Sequence, residues 1–321
     1  MNKQISILGC GWLGLPLAKA LIEKGFSIKG STTSENKLSI LEENTIEPFL
    51  INLLEDKIEG NIQGFLNKSE ILIIDIPPGL RGEKKHLDSA RCDKIKVFVE
   101  KMKTLATQIE KSEIKKVLFV SSTSVYSDVF PIEEFTEETP TNPDTESGKQ
   151  LVEVEELLLG NPNFNTIILR FGGLIGEDRH PIKYLAGKEN VDNPDGFINF
   201  IHQEDCIGII KAIIEKGLRQ AQYDSVNNEE ILKRVQNDKG LRQAQSDNRV
   251  KNEILKQVQH ENQIFNAVAP QHPTREEYYH KKARIMNLAL PIFAKDTVSK
   301  GKIISSAKIE KLLGYTFKKE I

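Results

Sequence analysis

The run Gly9-x-Gly11-x-x-Gly14 follows a short apolar segment, Ile5 to Leu8, and precedes a helical pattern, and no other feature limits the fold as tightly. Leu13, Leu17, Ala18, Ala20 and Leu21 recur at three- and four-residue spacing, so they line one face of a helix. Pro16 falls in the first helical turn, where its missing N–H costs nothing, and Gly25 supplies the stop. A strand, a glycine-rich turn and a helix in that order aim free backbone N–H groups at whatever lies beyond the strand end, and such a helix start suits a pyrophosphate. The first glycine permits the tight turn, the second lets phosphate approach the backbone, and the third allows close packing of helix on strand. Gly9, Gly11 and Gly14, with Trp12 and Leu13 between them, are the candidate dinucleotide-binding residues.

The end of the next strand, "FSIKGSTTSENK", bears on which dinucleotide fits. Folds that bind NAD carry an Asp or Glu there, about 20 residues past the glycines, to hold the ribose 2′-OH. This chain has no carboxylate between Lys29 and Ser34, while Thr32, Thr33, Ser34 and Lys37 offer hydrogen-bond donors to a 2′-phosphate. NADP is the expected cofactor and NAD the alternative. The arginine often found in NADP sites is missing, and a solvated hydroxyl-rich loop stays open as the plain reading.

Further strands are legible in "EPFLINL", "EILIIDIPPG", "IKKVLFVSST" and "NTIILRFGG". The middle two are near-continuous apolar runs, as parallel strands covered on both faces should be. Helical stretches at 95–110 and 149–159 alternate with them, so the expected class is α/β with a doubly wound parallel sheet. Pro77, at the end of one strand, stands where such sheets meet a ligand, or else simply terminates the strand.

In this order and spacing, "FVSSTSVY", "TESGKQLVEVE", "LRFGGLIGEDRHP" and "INFIHQEDC" resemble the extended short-chain dehydrogenase/reductase superfamily, the NAD(P)-dependent epimerase/dehydratase group. Within it the chain is most similar to the atypical YeeZ-like NAD(P)-binding proteins, which share a GCGWLG-type opening, an Arg-His-Pro turn and a late "HPTREEYY" segment. The resemblance implies a Rossmann fold with a smaller C-terminal substrate-side lobe, and the activity of an oxidoreductase or epimerase-like enzyme. It also implies roles for particular residues: Ser122 binds a substrate carbonyl, and Lys149 holds the nicotinamide ribose. Thr145 then occupies the position of the usual catalytic Tyr, and Gly148 that of a frequent Ser. A phenol titrates near pH 10 and a nearby cation lowers it, whereas a threonine hydroxyl has no comparable acidity. Two readings follow, an enzyme whose acid/base group lies elsewhere or a dinucleotide-binding sensor without turnover. Tyr126, His202 and Asp205 are the acid/base candidates by order in the chain, Tyr126 is also placed with substrate, and each has a structural hydrogen-bonding role as its alternative. Arg170 and Arg179 are candidates for an anionic substrate or the cofactor phosphates, Arg179 being the one assigned to substrate.

Composition excludes other classes. Formal charge is −2 with acids and bases mixed along the chain, so no basic stripe for nucleic acid stands out. Cys10, Cys92 and Cys206 lie far apart with no metal-ligand spacing, so neither a metal site nor a disulfide framework is expected. No apolar run nears the roughly 20 residues of a membrane span. The expectation is a cytoplasmic monomer or homodimer acting on a small molecule, with no nucleic-acid or membrane partner.

Residues 216–238 and 239–261 are two copies of one 23-residue unit, identical at 14 positions. Their apolar positions are sparse, so neither copy can build a core, and two units are too few for a solenoid. The expected division is a dinucleotide-binding domain over 1–170 and 197–215, a substrate-side lobe over 171–196 and 262–321, and a surface insertion over 216–261; a partner-binding helical hairpin is the other reading of the insertion. Deleting 216–261 should leave a folded protein with a melting temperature within a few degrees of the full chain, since surface insertions change closure entropy only slowly with length. A deletion product that precipitates or melts far earlier would show that the repeat packs on the domain.

Overall fold

The computed structural model describes residues 3–79, 97–217, 262–295 and 297–321. Seven strands form the main sheet: β1 (Gln4–Leu8), β2 (Ser27–Thr32), β3 (Glu47–Leu50), β4 (Ile71–Ile74), β5 (Lys116–Ser122), β6 (Asn165–Phe171) and β7 (Gln263–Ala267). Their spatial order is β7-β6-β5-β4-β1-β2-β3, and every pairing is parallel. Parallel strands need crossovers, and the crossovers cover both faces; β4, Ile71-Leu72-Ile73-Ile74, is accordingly buried at every position. The order reverses between β1 and β4, which opens a crevice at their carboxyl ends.

Four long helices lie on the sheet: α1 (Gly14–Ile22), α2 (Val97–Ile109), α3 (Glu146–Leu159) and α4 over 203–217. Phe98, Met102 and Leu105 of α2 and Val154 and Leu158 of α3 fill one face of the sheet. Leu17 and Leu21 of α1 pack with Ile209, Ile210 and Ile213 of α4 on the other. A separate cluster of Ile182, Val191, Tyr278, Tyr279 and Phe293 makes the core of the smaller lobe. Within that lobe α5 (Arg275–Ile285) starts on a capping box, with Thr274 and Glu277 satisfying each other's backbone N–H.

Two segments assigned to the lobe belong to the larger domain. Gln263–Ala267 is the seventh strand of the main sheet, because Phe265, Asn266 and Ala267 are buried against β6. The short helix Ala307–Leu313 packs Ile309 into the same core as α1 and α4. The repeat over 216–261 lies outside the described residues apart from its first two, which extend α4.

Three strands and α3 are joined by one buried ion pair. Arg170 of β6 donates from Nη2 to Glu155 Oε2 of α3 at 2.6 Å and from Nε to both carboxylate oxygens at 3.1 Å. Ser121 of β5 donates to Glu155 Oε1 at 2.6 Å. The second arm of the guanidinium donates to the Tyr126 hydroxyl, which lies 3.1 Å from Asn266 of β7. Removing one member strands a charge in the interior, which typically costs about 3–5 kcal/mol. Glu155→Ala should therefore lower unfolding free energy by about that amount in urea titrations at pH 7 with little change in slope. A loss under about 1 kcal/mol would mean the pair is not what joins these elements.

Candidate functional site

At the head of α1 the backbone is fixed by contact rather than by side chains. A Cβ on Gly14 would stand 2.2 Å from the Gly9 carbonyl oxygen, and Gly9 itself holds φ at +104°, so both positions require glycine. Ser31 at the end of β2 accepts from Gly9 N–H and its carbonyl accepts from Cys10 N–H, which fastens the turn to the sheet. A Cβ on Gly11 would meet nothing within 4 Å. The N–H groups of Trp12 and Leu13 have no acceptor among the described residues, whereas Gly14 N–H is taken by Asp75. The turn thus presents two free donors and an open approach, which fits a dinucleotide diphosphate.

Two contiguous cavities meet beneath this turn. The first, about 380 Å³, reaches from Gly9 and Gly11 past Thr32, Thr33 and Lys37 to Asn52 and Lys101. The second, about 660 Å³, runs from Trp12 and Leu13 along Ser122, Ser124 and Ser147 to Arg179, His180 and Tyr184. Both share Gly11, Asp75, Ile76 and Pro77 as a common wall. Asp75 closes β4 with its carboxyl partly buried between them, and burial pushes that carboxyl up to about 7 against the lowering effect of the Gly14 N–H. The neighbouring Cys10 thiol is pushed up to about 12, first by burial.

Most of the residues singled out in the sequence come together here: the glycine turn, Thr32, Thr33, Lys37, Pro77, Ser122 and Arg179 all line the cavities. Ser122 accepts from Ser124 N–H at 3.2 Å, and its own hydroxyl proton has no acceptor among the described residues. Arg179 lies over the Trp12 indole at 4.9 Å without an ion pair among the described residues, and Trp12 Nε1 donates to Asp178 at 2.9 Å. Gln203 of α4 donates to the Trp12 carbonyl, so the indole clasps the phosphate turn to the 176–179 turn of the smaller lobe.

Several expectations need correction. Ser34 lines neither cavity, because its N–H bonds back to Thr32 and the chain turns away into the short helix Glu35–Lys37. Tyr126 is only 1% exposed and spends its hydroxyl on Arg170, Thr136 and Asn266, so it faces no substrate. Arg170 is consumed by Glu155. Asp205 accepts from the Tyr315 hydroxyl and from Lys318 and Lys319 N–H, a structural task, and His202 accepts from Glu204 N–H. Lys149, expected at the nicotinamide ribose, lines neither cavity and pairs with Glu146 at 2.7 Å on the exposed side of α3.

Thr145 has its own structural explanation. It is the N-cap of α3, extended at φ −112° and ψ 150°, with its hydroxyl accepting from Gly148 N–H at 3.0 Å. Gly148 is needed because a Cβ there would stand 2.3 Å from the Ser124 carbonyl oxygen. The missing side chain brings the start of α3 against the Ser122–Ser124 turn and puts Ser147 in the cavity wall.

Asp75, Lys101, Ser124, Ser147, His180 and Tyr184 were not singled out in the sequence, although a lone carboxylate closing the apolar run "ILIIDIPP" was a signal for Asp75. His180 Nδ1 accepts from Ile182 N–H, which leaves the proton on Nε2 to donate to the Tyr278 hydroxyl at 2.8 Å. Burial, then Lys282 and Lys183, lowers His180 to about 4, so the ring is neutral at physiological pH.

Comparison with known proteins agrees with this architecture. The model of the NAD dependent epimerase/dehydratase family matches residues 5–186. Protein YeeZ of Escherichia coli (strain K12) is 29% identical over 98% of this chain and 96% of its own length. A functionally unknown conserved protein from Silicibacter pomeroyi has the same fold, with TM-score 0.66 and 18% identity over 99% of this chain and 94% of that one. So does UDP-glucuronic acid 4-epimerase from Bacillus cereus, solved in complex with NAD, with TM-score 0.68 and 14% identity over 99% and 92%.

Capping makes a direct test of Thr145. Thr145→Ala should lower stability by about 1 kcal/mol while Thr145→Ser changes it by a few tenths, measured by chemical denaturation. Equal stability of the three proteins would show that the hydroxyl is kept for something other than the cap.

Proposed function

The chain belongs to the NAD dependent epimerase/dehydratase family, and from that premise we propose that it binds NADP(H) in the first cavity and acts, as an oxidoreductase or epimerase-like enzyme, on a small anionic molecule in the second. The observation that carries this reading is the pair of unclaimed N–H groups at Trp12 and Leu13 where two cavities join. Their volumes fall in the range of small-molecule sites. A nicotinamide dinucleotide, once bound, supplies a hydride acceptor or donor. The remaining work falls to this chain's side chains. Ser122 offers an unshared hydroxyl proton to a substrate oxygen, and Arg179 offers a guanidinium with no carboxylate partner among the described residues to an anionic group. His180 is neutral with both ring nitrogens engaged, so its part is to hold the wall rather than to move a proton.

NADP is favoured over NAD by what the first cavity presents. Lys37 and Lys101 line it without an ion pair among the described residues, and Thr33 adds a hydroxyl. The one carboxylate among the described residues of that wall, Asp75, sits under the glycine turn rather than at the end of β2. Among the described residues a 2′-phosphate meets Lys37 and Lys101 there and no carboxylate at the end of β2.

A second reading, a dinucleotide-responsive sensor without turnover, is favoured by a specific observation: Thr145 is occupied as a cap and Lys149 as a surface ion pair. Turnover separates the two. NADPH should bind more tightly than NADH by Trp12 fluorescence, and Lys37→Ala should weaken NADPH by about 1 kcal/mol, roughly fivefold, while leaving NADH unchanged. Incubated with a metabolite extract, the enzyme should oxidise NADPH, and Ser122→Ala should slow that oxidation by tenfold or more. Tight binding with no oxidation by any extract would establish the sensor, and equal NADH and NADPH affinities would remove the 2′-phosphate argument.

A further inference from the structure

Asp75 is the one acidic group among the described residues of the wall common to both cavities, and the reading of the glycine turn as a dinucleotide site leaves its role unassigned. It stands at the positive end of α1 and takes the Gly14 N–H, the next donor after the two that remain free at Trp12 and Leu13. One helix start therefore serves two anions, a resident carboxylate and an arriving diphosphate. Like charges held close in a poorly solvated site cannot both stay ionised without a large penalty.

We propose that Asp75 couples dinucleotide binding to proton uptake, so that the chain holds a dinucleotide with the Asp75 carboxyl protonated and loses affinity as that proton leaves. The inference rests on the dinucleotide reading above. The other titratable groups around Asp75 do not substitute for it. Cys10 and Cys206 are buried thiols, Cys10 pushed up to about 12 and Cys206 held by burial well above the usual thiol range, so they stay neutral. Lys37 and Lys101 face it from the first cavity, and Arg179, His180 and Tyr184 from the second. None of them forms an ion pair with it among the described residues, and His180, lowered to about 4, carries no charge near neutrality. Asp75 itself, without ligand, is poised at about 7 by burial. A bound diphosphate raises it further. Affinity is then fully present below about pH 7 and is lost as pH rises from there toward the value in the complex, by up to tenfold per pH unit.

The test uses the full chain and NADH, because the 2′-phosphate of NADPH titrates near pH 6 and would add a slope of its own. Trp12 fluorescence titrations at pH 6.5, 7.5 and 8.5 should show affinity falling most steeply above pH 7.5, by up to tenfold between the last two. Calorimetry at pH 7.5 in two buffers of different ionisation enthalpy should show a substantial fraction of one proton taken up per NADH bound. Asp75→Asn keeps an oxygen acceptor for Gly14 N–H and should bind with no slope, no uptake and higher affinity than the natural chain at pH 8.5. If that variant does not fold, the proton uptake of the natural chain decides alone. Binding without uptake, or a slope that survives in Asp75→Asn, overturns the role of Asp75 and leaves the dinucleotide reading intact. Absence of NADH and NADPH binding at every pH overturns both.

Discussion

The Arg170–Glu155 pair joins the parts of the sheet that form the floor of the site. It lies inside the protein, with both side chains under 5% exposed, and it brings α3, β5, β6 and β7 to one point. An interior pair of this kind gains little over apolar packing but tolerates no half measures, because either partner alone is an uncompensated charge. It therefore specifies geometry more than it adds stability. With Glu155 fixed on Arg170, α3 is held in rotation about its axis, and its first turn meets the Ser122–Ser124 turn where Gly148 allows contact. The hydroxyls of Ser122, Ser124 and Ser147 share one wall as a result.

The same pair accounts for two residues that look functional in the sequence and are not available in the fold. Arg170 and Tyr126 are the kinds of residue that bind anions and exchange protons, and both are spent on each other and on Glu155. Arg179, eight residues after the end of β6, is left as the guanidinium at the cavity among the described residues, propped on Trp12.

Local rules made much of this structure legible. The apolar runs gave the parallel strands and the spacing of Leu17 and Leu21 gave α1, because each depends on neighbours within a turn or two. The glycine turn was readable for the same reason. What stayed hidden depends on partners far along the chain. Tyr126 meets Asn266 across 140 residues, and no local pattern says that its hydroxyl is taken. Asp75 gains its environment from Gly14 and Cys10 on another strand-turn unit. Thr145 is the instructive case: aligned against a tyrosine it reads as a loss, yet an extended threonine immediately before a glycine-containing first helical turn is also an N-cap. Spacing alone cannot separate those meanings, since both put a hydroxyl at the same place.

A parallel sheet has two unlike ends. The carboxyl ends of β1 and β4 carry the glycine turn, Asp75 and both cavities. The described residues at the two ends of the repeated segment are at the opposite end of the sheet: Gly217, its second residue, lies against Lys116, the first residue of β5, and Asn262, just after it, bonds to Thr166 at the start of β6 and to the Leu159 carbonyl. The duplicated segment thus leaves and re-enters the described structure at the end of the sheet remote from both cavities. The polarity of the strands therefore also divides the chain into loops that build the cavities and connections that can lengthen without touching them.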